Sequence, residues 1–147
     1  MQRRTLYSSV QAALAFAGTA DAGTLYWAHR NAIELPCTSG NGCDLVNASH
    51  WSHIAGIPIA FIGLSAYIII LFASVLKLTS SQAAFDWFLL TLIFLISLGG
   101  TGYSWYLQYV SAVDIGAFCI YCRTSAIIMT ILFVVTALEY WRQSRPT

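Results

Sequence analysis

Long apolar runs separated by short polar stretches organise this chain. Four can be cut out: Leu6–Trp27, Ile57–Leu78, Phe85–Tyr106 and Phe118–Trp141. Each reaches the roughly 20 residues that a helix needs to cross about 30 Å of hydrocarbon. A helix also satisfies its own backbone hydrogen bonds, the condition for crossing lipid. Trp and Tyr stand near several ends, as Tyr26–Trp27, Trp105–Tyr106 and Tyr140–Trp141, where their amphipathic rings suit the headgroup level. The pattern predicts an all-α fold: one domain over 1–147, an integral membrane four-helix bundle with helices at about 6–27, 57–78, 85–106 and 118–141.

The first run has a second reading. Arg3–Arg4, an apolar stretch and then Ala20-Asp21-Ala22 resemble a signal peptide with its cleavage site, and the arginine pair hints at a twin-arginine signal. The apolar character resumes beyond Asp21, however, and ends at an aromatic pair. An uncleaved anchor is the expectation. Asp21 itself could be a proton or hydrogen-bond group beside a ligand. The plainer reading, adopted here, is a place near the interface or against a polar partner in the bundle.

Composition strengthens the membrane reading. Of 147 residues 58% are hydrophobic and 9% charged, against about 25% charged in soluble domains. A net charge of +1 leaves no basic field for nucleic acid. The basic residues set orientation: Arg3, Arg4, Lys77, Arg142 and Arg145 share one side of a four-span chain, while Arg30 and Arg123 face the other. The excess of Lys and Arg on the cytoplasmic side puts both termini and the Lys77–Gln82 loop in the cytoplasm, with Lys77 and the C-terminal arginines as topology markers. The 28–56 loop and the 110–117 connection then face outward. In a bacterial inner membrane that face is the periplasm, where disulfides form and persist.

All four cysteines fall on that face or at its membrane edge. Cys119-Ile120-Tyr121-Cys122 is a C-x-x-C where a helix begins. Both sulfurs fall on one helical face, and the helix start favours thiolate; Arg123 either adds to that or snorkels to the headgroups. Cys37 and Cys43 form a C-x5-C whose spacer of small and polar residues bends cheaply. It could close a disulfide, or let Cys37 move while Cys43 stays anchored. Beyond it, Leu45, Ala48, Trp51 and Ile54 recur at helical spacing, which predicts a short interfacial helix in the first outer loop. Gly56-Ile57-Pro58 then opens the second membrane helix.

A zinc site fits poorly. The two pairs do not have zinc-ribbon spacing, and His50 and His53 suit interfacial or capping roles, so no metal is expected. A static staple of two disulfides is the sturdier alternative. The dynamic reading goes further: two pairs on one face can pass electrons by thiol–disulfide exchange. The loop pair would meet a soluble protein and the helix pair an acceptor within the bundle. That acceptor must take two electrons and dissolve in lipid. A quinone meets both demands.

With Leu35-Pro36-Cys37, Gly42-Cys43-Asp44, Ser49-x-Trp51, Gly56-Ile57-Pro58, Gly63-Leu64-x-x-Tyr67 and Cys119-x-x-Cys122 in this order, the chain resembles bacterial homologues of vitamin K epoxide reductase over nearly its whole length. Quinone-coupled oxidases of the DsbB type have their C-x-x-C in the first outer loop, the reverse order. The resemblance implies that Cys119 and Cys122 are the active-site pair, with Cys122 nearest a quinone (ubiquinone, menaquinone or phylloquinone) and Cys119 exchanging with Cys43. Cys37 would be attacked by the partner's thiol. Ser49 matches a family serine near the active site and Trp51 a tryptophan at the membrane surface. An Asn that holds the naphthoquinone in the animal enzymes aligns with Ile59, and a Tyr four residues beyond their C-x-x-C with Ala126. These departures favour quinone reduction over epoxide reduction. No thioredoxin-like domain follows Thr147, so the implied partner is a separate periplasmic, DsbA-like thioredoxin-fold protein. The function expected is a quinone-dependent thiol oxidase. A non-catalytic, disulfide-stapled membrane scaffold and a vitamin K epoxide reductase are the alternatives.

Gly99, Gly100 and Gly102 read mainly as close-packing sites, with room for a quinone ring as the alternative. Asp114-Ile115-Gly116 reads as the cap that orients the fourth run.

Overall fold

The computed structural model describes residues 2–37, 40 and 42–145. Thr38, Ser39 and Asn41, most of the expected flexible spacer, lie outside the described residues. The elements in order are α1 (Gln2–Asn31), α2 (Gly42–Ala48), a 3-10 turn (His50–Ser52), strands β1 (His53–Ile54) and β2 (Ile57–Pro58), then α3 (Ile59–Thr79), α4 (Ala83–Val110), a π turn (Ser111–Ile115) and α5 (Ile120–Ser144).

The four long helices pack side by side, α1 against α3 and α5, and α4 against α5 and α3. Among the described residues three stretches are long and apolar enough to cross a membrane: Ile59–Thr79, Ala83–Ile115 and Ile120–Ser144, with mean hydropathies of 2.5, 1.8 and 1.8. Their outer faces carry exposed large side chains such as Phe72, Phe88, Leu95 and Ile127. Such a surface suits lipid rather than water, and the protein is a multi-pass membrane protein.

α1 is not among the three. Its buried stripe runs Ser8, Gln11, Ala15, Gly18, Ala22, Leu25 and Ala28, a seam of mostly small residues every three or four positions. Small side chains lower hydropathy but let backbones approach closely. Gly18 is the tightest point: a Cβ there would run into the Tyr67 ring on α3. Of the glycines expected to pack, Gly100 does so, since a Cβ would press on Met129 of α5, whereas Gly99 and Gly102 face open space.

Several boundaries differ from expectation. α1 and α4 run on beyond their apolar runs, because a helix end follows backbone hydrogen bonding rather than hydropathy. The helical spacing expected through Trp51 and Ile54 stops at Ala48. The chain instead turns through Ala55 and Gly56, both with positive φ (51° and 81°), and pairs His53 with Pro58 and Ile54 with Ile57. Positive φ at both central residues is the signature of a tight two-residue hairpin turn, for which Gly is the favoured second residue. Ile57 and Pro58 are therefore strand residues, and Pro58 is the N-cap of α3 rather than part of its first turn.

The largest correction concerns Lys77. It is not a loop marker: its side chain is fully buried and bound to Glu139 of α5, with Nζ 2.7 Å from both carboxylate oxygens. Gln11 of α1 completes the cluster, accepting from Lys77 Nζ at 3.3 Å and donating to Glu139 at 3.0 Å and Thr136 at 3.1 Å. Arg4 pairs with Asp86 of α4 and donates to the carbonyls of Lys77 and Ser80. This end of the bundle thus gathers the N-terminus of α1, the α3–α4 connection and the C-terminal part of α5.

Lys77 and Glu139 satisfy one another, so removing one leaves an uncompensated buried charge. Lys77→Met or Glu139→Leu alone is expected to destabilise the protein by about 3–5 kcal/mol, and the double variant to recover most of the loss. Denaturant titration in detergent checks this; additive losses in the double variant would contradict it.

Candidate functional site

The opposite end of the bundle collects the cysteines. α4 passes into the π turn, and Gly116 ends it in the left-handed conformation (φ 64°). Left-handed backbone is cheap for glycine and costly for residues with a Cβ. The reversal it permits brings Cys119 to the head of α5, where Cys119, not Asp114, is the N-cap. Asp114 is exposed. On the other side, α2 places Cys43 at its first turn.

Cys43 and Cys119 are buried in one cluster with Leu25, Val46 and Ala60, and Cys37 and Cys122 pack against it. Two elements distant in sequence thus bring four cysteines together. Cys37 and Cys43 form a disulfide with Cα atoms 6.2 Å apart, within the usual span for a bridge. Cys119 and Cys122 are free thiols. The Cys122 N–H donates to Cys119 Sγ at 3.4 Å. Hydrogen bonding from the Cys122 side chain, then from the backbone N–H groups of Cys122 and Tyr121, holds the Cys119 thiol below its usual pKa. Burial and the electrostatic influence of Asp21 act against this. Such a sulfur is a good leaving group in disulfide exchange. The Arg123 guanidinium lies over the Phe118 ring, 5.8 Å from the centroid.

Beneath the cysteines a cavity of about 350 Å³ opens between all four long helices. Its volume falls in the lower range of small-molecule sites. The walls are mostly apolar, with Ile59, Ile62, Leu107 and Met129 among them, and Cys122 is the cysteine that lines it. Ile54 of the hairpin also faces it. The hairpin region is tied to α4, since the Tyr103 hydroxyl donates to the Trp51 carbonyl at 3.1 Å and the Trp51 and Tyr106 rings meet edge to face. On the floor Tyr67, fully buried, sets its hydroxyl 2.9 Å from both the carbonyl and the hydroxyl of Ser125.

Of the residues singled out from sequence, the fold unites Cys37, Cys43, Cys119 and Cys122, and puts Cys122 and Ile59 on the cavity wall. Ser49 and Ala126 are not on that wall. The Ser49 hydroxyl donates to the Val46 carbonyl at 2.7 Å and meets the Ser52 hydroxyl, bonds that close the turn after α2. Ala126 is buried, and its neighbours Ser125 and Met129 line the cavity instead. Among the described residues there is no cluster of three or more His, Cys, Asp or Glu side chains that could hold a metal.

The cavity wall also holds Ser125, which the sequence did not single out, Tyr67, which it marked only as part of the family pattern, and Asp21, whose reading beside a ligand was set below the plainer one. Asp21 is half-buried and its Oδ2 is a buried oxygen with no hydrogen-bond partner, so no polar partner among the described residues of the bundle satisfies that oxygen. The signal was present: a lone carboxylate within an apolar helix is costly and needs a reason.

An apolar, lipid-level cavity with a thiol on its wall and a second cysteine pair alongside can pass electrons between a disulfide and a lipophilic acceptor. The comparison with known families agrees with that chemistry. Residues 9–137 match the model of the Vitamin K epoxide reductase family. The order of the cysteine pairs, their meeting at one end of the helices and the extent of this match lead to one conclusion: the chain belongs to the vitamin K epoxide reductase family and is a membrane oxidoreductase.

Proposed function

We propose that this protein is a quinone-dependent thiol oxidase, which re-oxidises a periplasmic, DsbA-like thioredoxin-fold protein and thereby supports disulfide formation. One observation carries the reading: Cys122 faces the apolar cavity, while Cys119, three residues earlier, is buried in the same cluster as Cys43. The helix pair therefore has one sulfur toward each side of a relay.

The membrane arrangement proposed with it has four spans. α1 crosses as well, because its small-residue seam lies against α3 and α5 along its length. Both termini are cytoplasmic, in the inner membrane, since the Arg4–Asp86 and Lys77–Glu139 pairs stand at the end carrying most of the basic residues. The cysteines then stand at the periplasmic face.

In the relay, a thiolate of the partner attacks Cys37 and displaces Cys43. The partner's second thiol releases Cys37 and leaves with its own disulfide formed. Cys43 attacks Cys119 of the oxidised inner pair and displaces Cys122. Cys37 then attacks Cys43, which closes the loop disulfide and expels Cys119. The hydrogen bonds to Cys119 that depress its pKa make that expulsion easier. The resulting state has a Cys37–Cys43 bridge and two free thiols at Cys119 and Cys122, the pattern of the structure. A quinone supplies the chemistry of a lipid-soluble two-electron acceptor. Its fit rests on the apolar lining, the volume of the cavity and the thiol on the wall. Cys122 faces it there and, with Cys119, gives up two electrons and two protons as their S–S bond forms. Ile59 on the wall offers no hydrogen bond, which favours quinone over epoxide as the oxidant.

Purified protein in detergent, given a reduced thioredoxin-fold dithiol and a short-chain quinone, is expected to form quinol, and each single Cys→Ala change to lower the rate by at least about 10²-fold, the scale of losing a covalent catalyst. A stapled scaffold would form no quinol and would hold both pairs oxidised when quinone is withheld. A second expectation separates the two pairs. Cys122→Ala should trap Cys119 in a mixed disulfide with Cys43, visible as a mobility shift in non-reducing gels after proteolysis between α2 and α5. Absence of that species under oxidising conditions would reject the exchange order.

A further inference from the structure

Cavity walls in lipid are expected to leave no polar atom without a partner, since each costs several kcal/mol by transfer into hydrocarbon. Three of the polar wall residues have partners. Tyr67 and Ser125 bond each other, and Tyr103 bonds the Trp51 carbonyl. Three buried side-chain oxygens without partners are present among the described residues, on Ser8, Asp21 and Asp86. Asp21 is the one that lines the cavity, on the wall shared with Cys122. The two ion pairs among the described residues, Arg4–Asp86 and Lys77–Glu139, lie at the far end, so neither supplies Asp21 with a cation.

The geometry points to Asp21 as the group that hydrogen-bonds an oxygen of the bound quinone and delivers one of its protons. This assignment rests on the thiol:quinone reading and deepens it. A protonated carboxyl has one O–H to donate and keeps an acceptor oxygen, which suits a carbonyl that becomes a hydroxyl. The balance closes within the site. Cys119 and Cys122 lose two electrons and two protons as their disulfide forms. Both electrons and both protons end on the acceptor, whose two C=O groups become C–O–H. One proton passes directly. The other leaves Asp21, and the carboxylate regains a proton from the thiols, so Asp21 finishes as it began. Ile59 cannot donate and Tyr67 is engaged with Ser125; Ser104 and Gln108 also line the cavity, but among the described residues Asp21 is the wall residue with a buried side-chain oxygen that lacks a partner. This role also gives the half-buried carboxyl a reason to be there, in place of an apolar side chain that would stabilise the helix.

The test uses the full chain in detergent, with ubiquinone-1 and menadione as probes, and compares wild type, Asp21→Asn and Asp21→Leu. Two readouts are needed: the rise in Tm on adding quinone, and the kcat and KM for quinol formation. Asn keeps a donor but has no transferable proton. Its quinone-induced Tm rise and KM should stay close to wild type while kcat falls about 10²-fold, the usual scale of general acid catalysis. Leu should abolish the quinone-induced rise and raise KM about tenfold, the loss of one good hydrogen bond, yet raise Tm without quinone because an orphaned carboxyl is gone. A merely structural Asp21 would lower that Tm on replacement by Leu and leave KM unmoved, which overturns the proposal. Equal kcat in Asn and wild type overturns the proton delivery. Wild type that forms no quinol overturns the thiol:quinone reading itself and this assignment with it, whereas wild-type turnover matched by Asp21→Leu removes only the role of Asp21.

Discussion

Tyr67 is the contact on which the architecture turns. Its ring lies against Gly18 of α1 so closely that no Cβ fits there, and its hydroxyl is fixed to Ser125 of α5. One side chain on α3 therefore sets the spacing of three helices. In lipid the helices gain nothing from the hydrophobic effect on meeting, so close packing and interhelical hydrogen bonds, each worth roughly 1 kcal/mol, have to hold them. Because Ser125 stands one helical turn beyond Cys122, the same contact orients the face of α5 that presents the thiol to the cavity. Scaffold and site thus share one residue.

The remaining cohesion is divided between two ends of different character. One end is ionic: Lys77, Glu139 and Gln11 are buried together, and Arg4 bridges to Asp86. A buried pair of this kind adds little net stability over apolar packing but penalises wrong registers heavily. The other end is held by the hairpin, by Trp51 and Tyr103, and by the cysteine cluster. Bonds at that end are meant to break and form again in an exchange protein. Register fixed at the ionic end leaves the cysteine end free to change its disulfides without loss of helix alignment.

Much of this was legible in the sequence, and the gaps have physical causes. Apolar runs mark the long helices because crossing lipid demands hydropathy over about 20 residues, a demand that α3, α4 and α5 meet. The two cysteine pairs and their order identify the family. What could not be read is what depends on partners from other helices. Lys77 looks like a loop residue beside Thr79 and Ser80, and only Glu139, 62 positions away, makes it a core residue. Hydropathy also cannot distinguish a lipid face from a seam, so α1, whose inward stripe is Ala, Gly, Ser and Gln, is weak by composition but central by position. The hairpin at 53–58 interrupts a helical spacing that Trp51 and Ile54 continue in the sequence, since the turn at Ala55-Gly56 overrides a short amphipathic pattern. The cavity wall draws on α1, α3, α4 and α5 at once, and no single stretch announces it. For that reason Ile59 and Cys122 are found on it, while Ser49 and Ala126 stand aside.

The nearly apolar lining of the cavity has a consequence for how affinity is defined. A molecule that suits those walls dissolves in the bilayer far better than in water, and the protein meets it there. Its working concentration is then a mole fraction of lipid, not a molarity in the aqueous phase. Apparent affinity will scale with the amount of detergent or membrane that dilutes the ligand, and two preparations with the same protein and the same total ligand will differ if their hydrophobic phase differs. The cell sets occupancy of this site through the composition of its membrane.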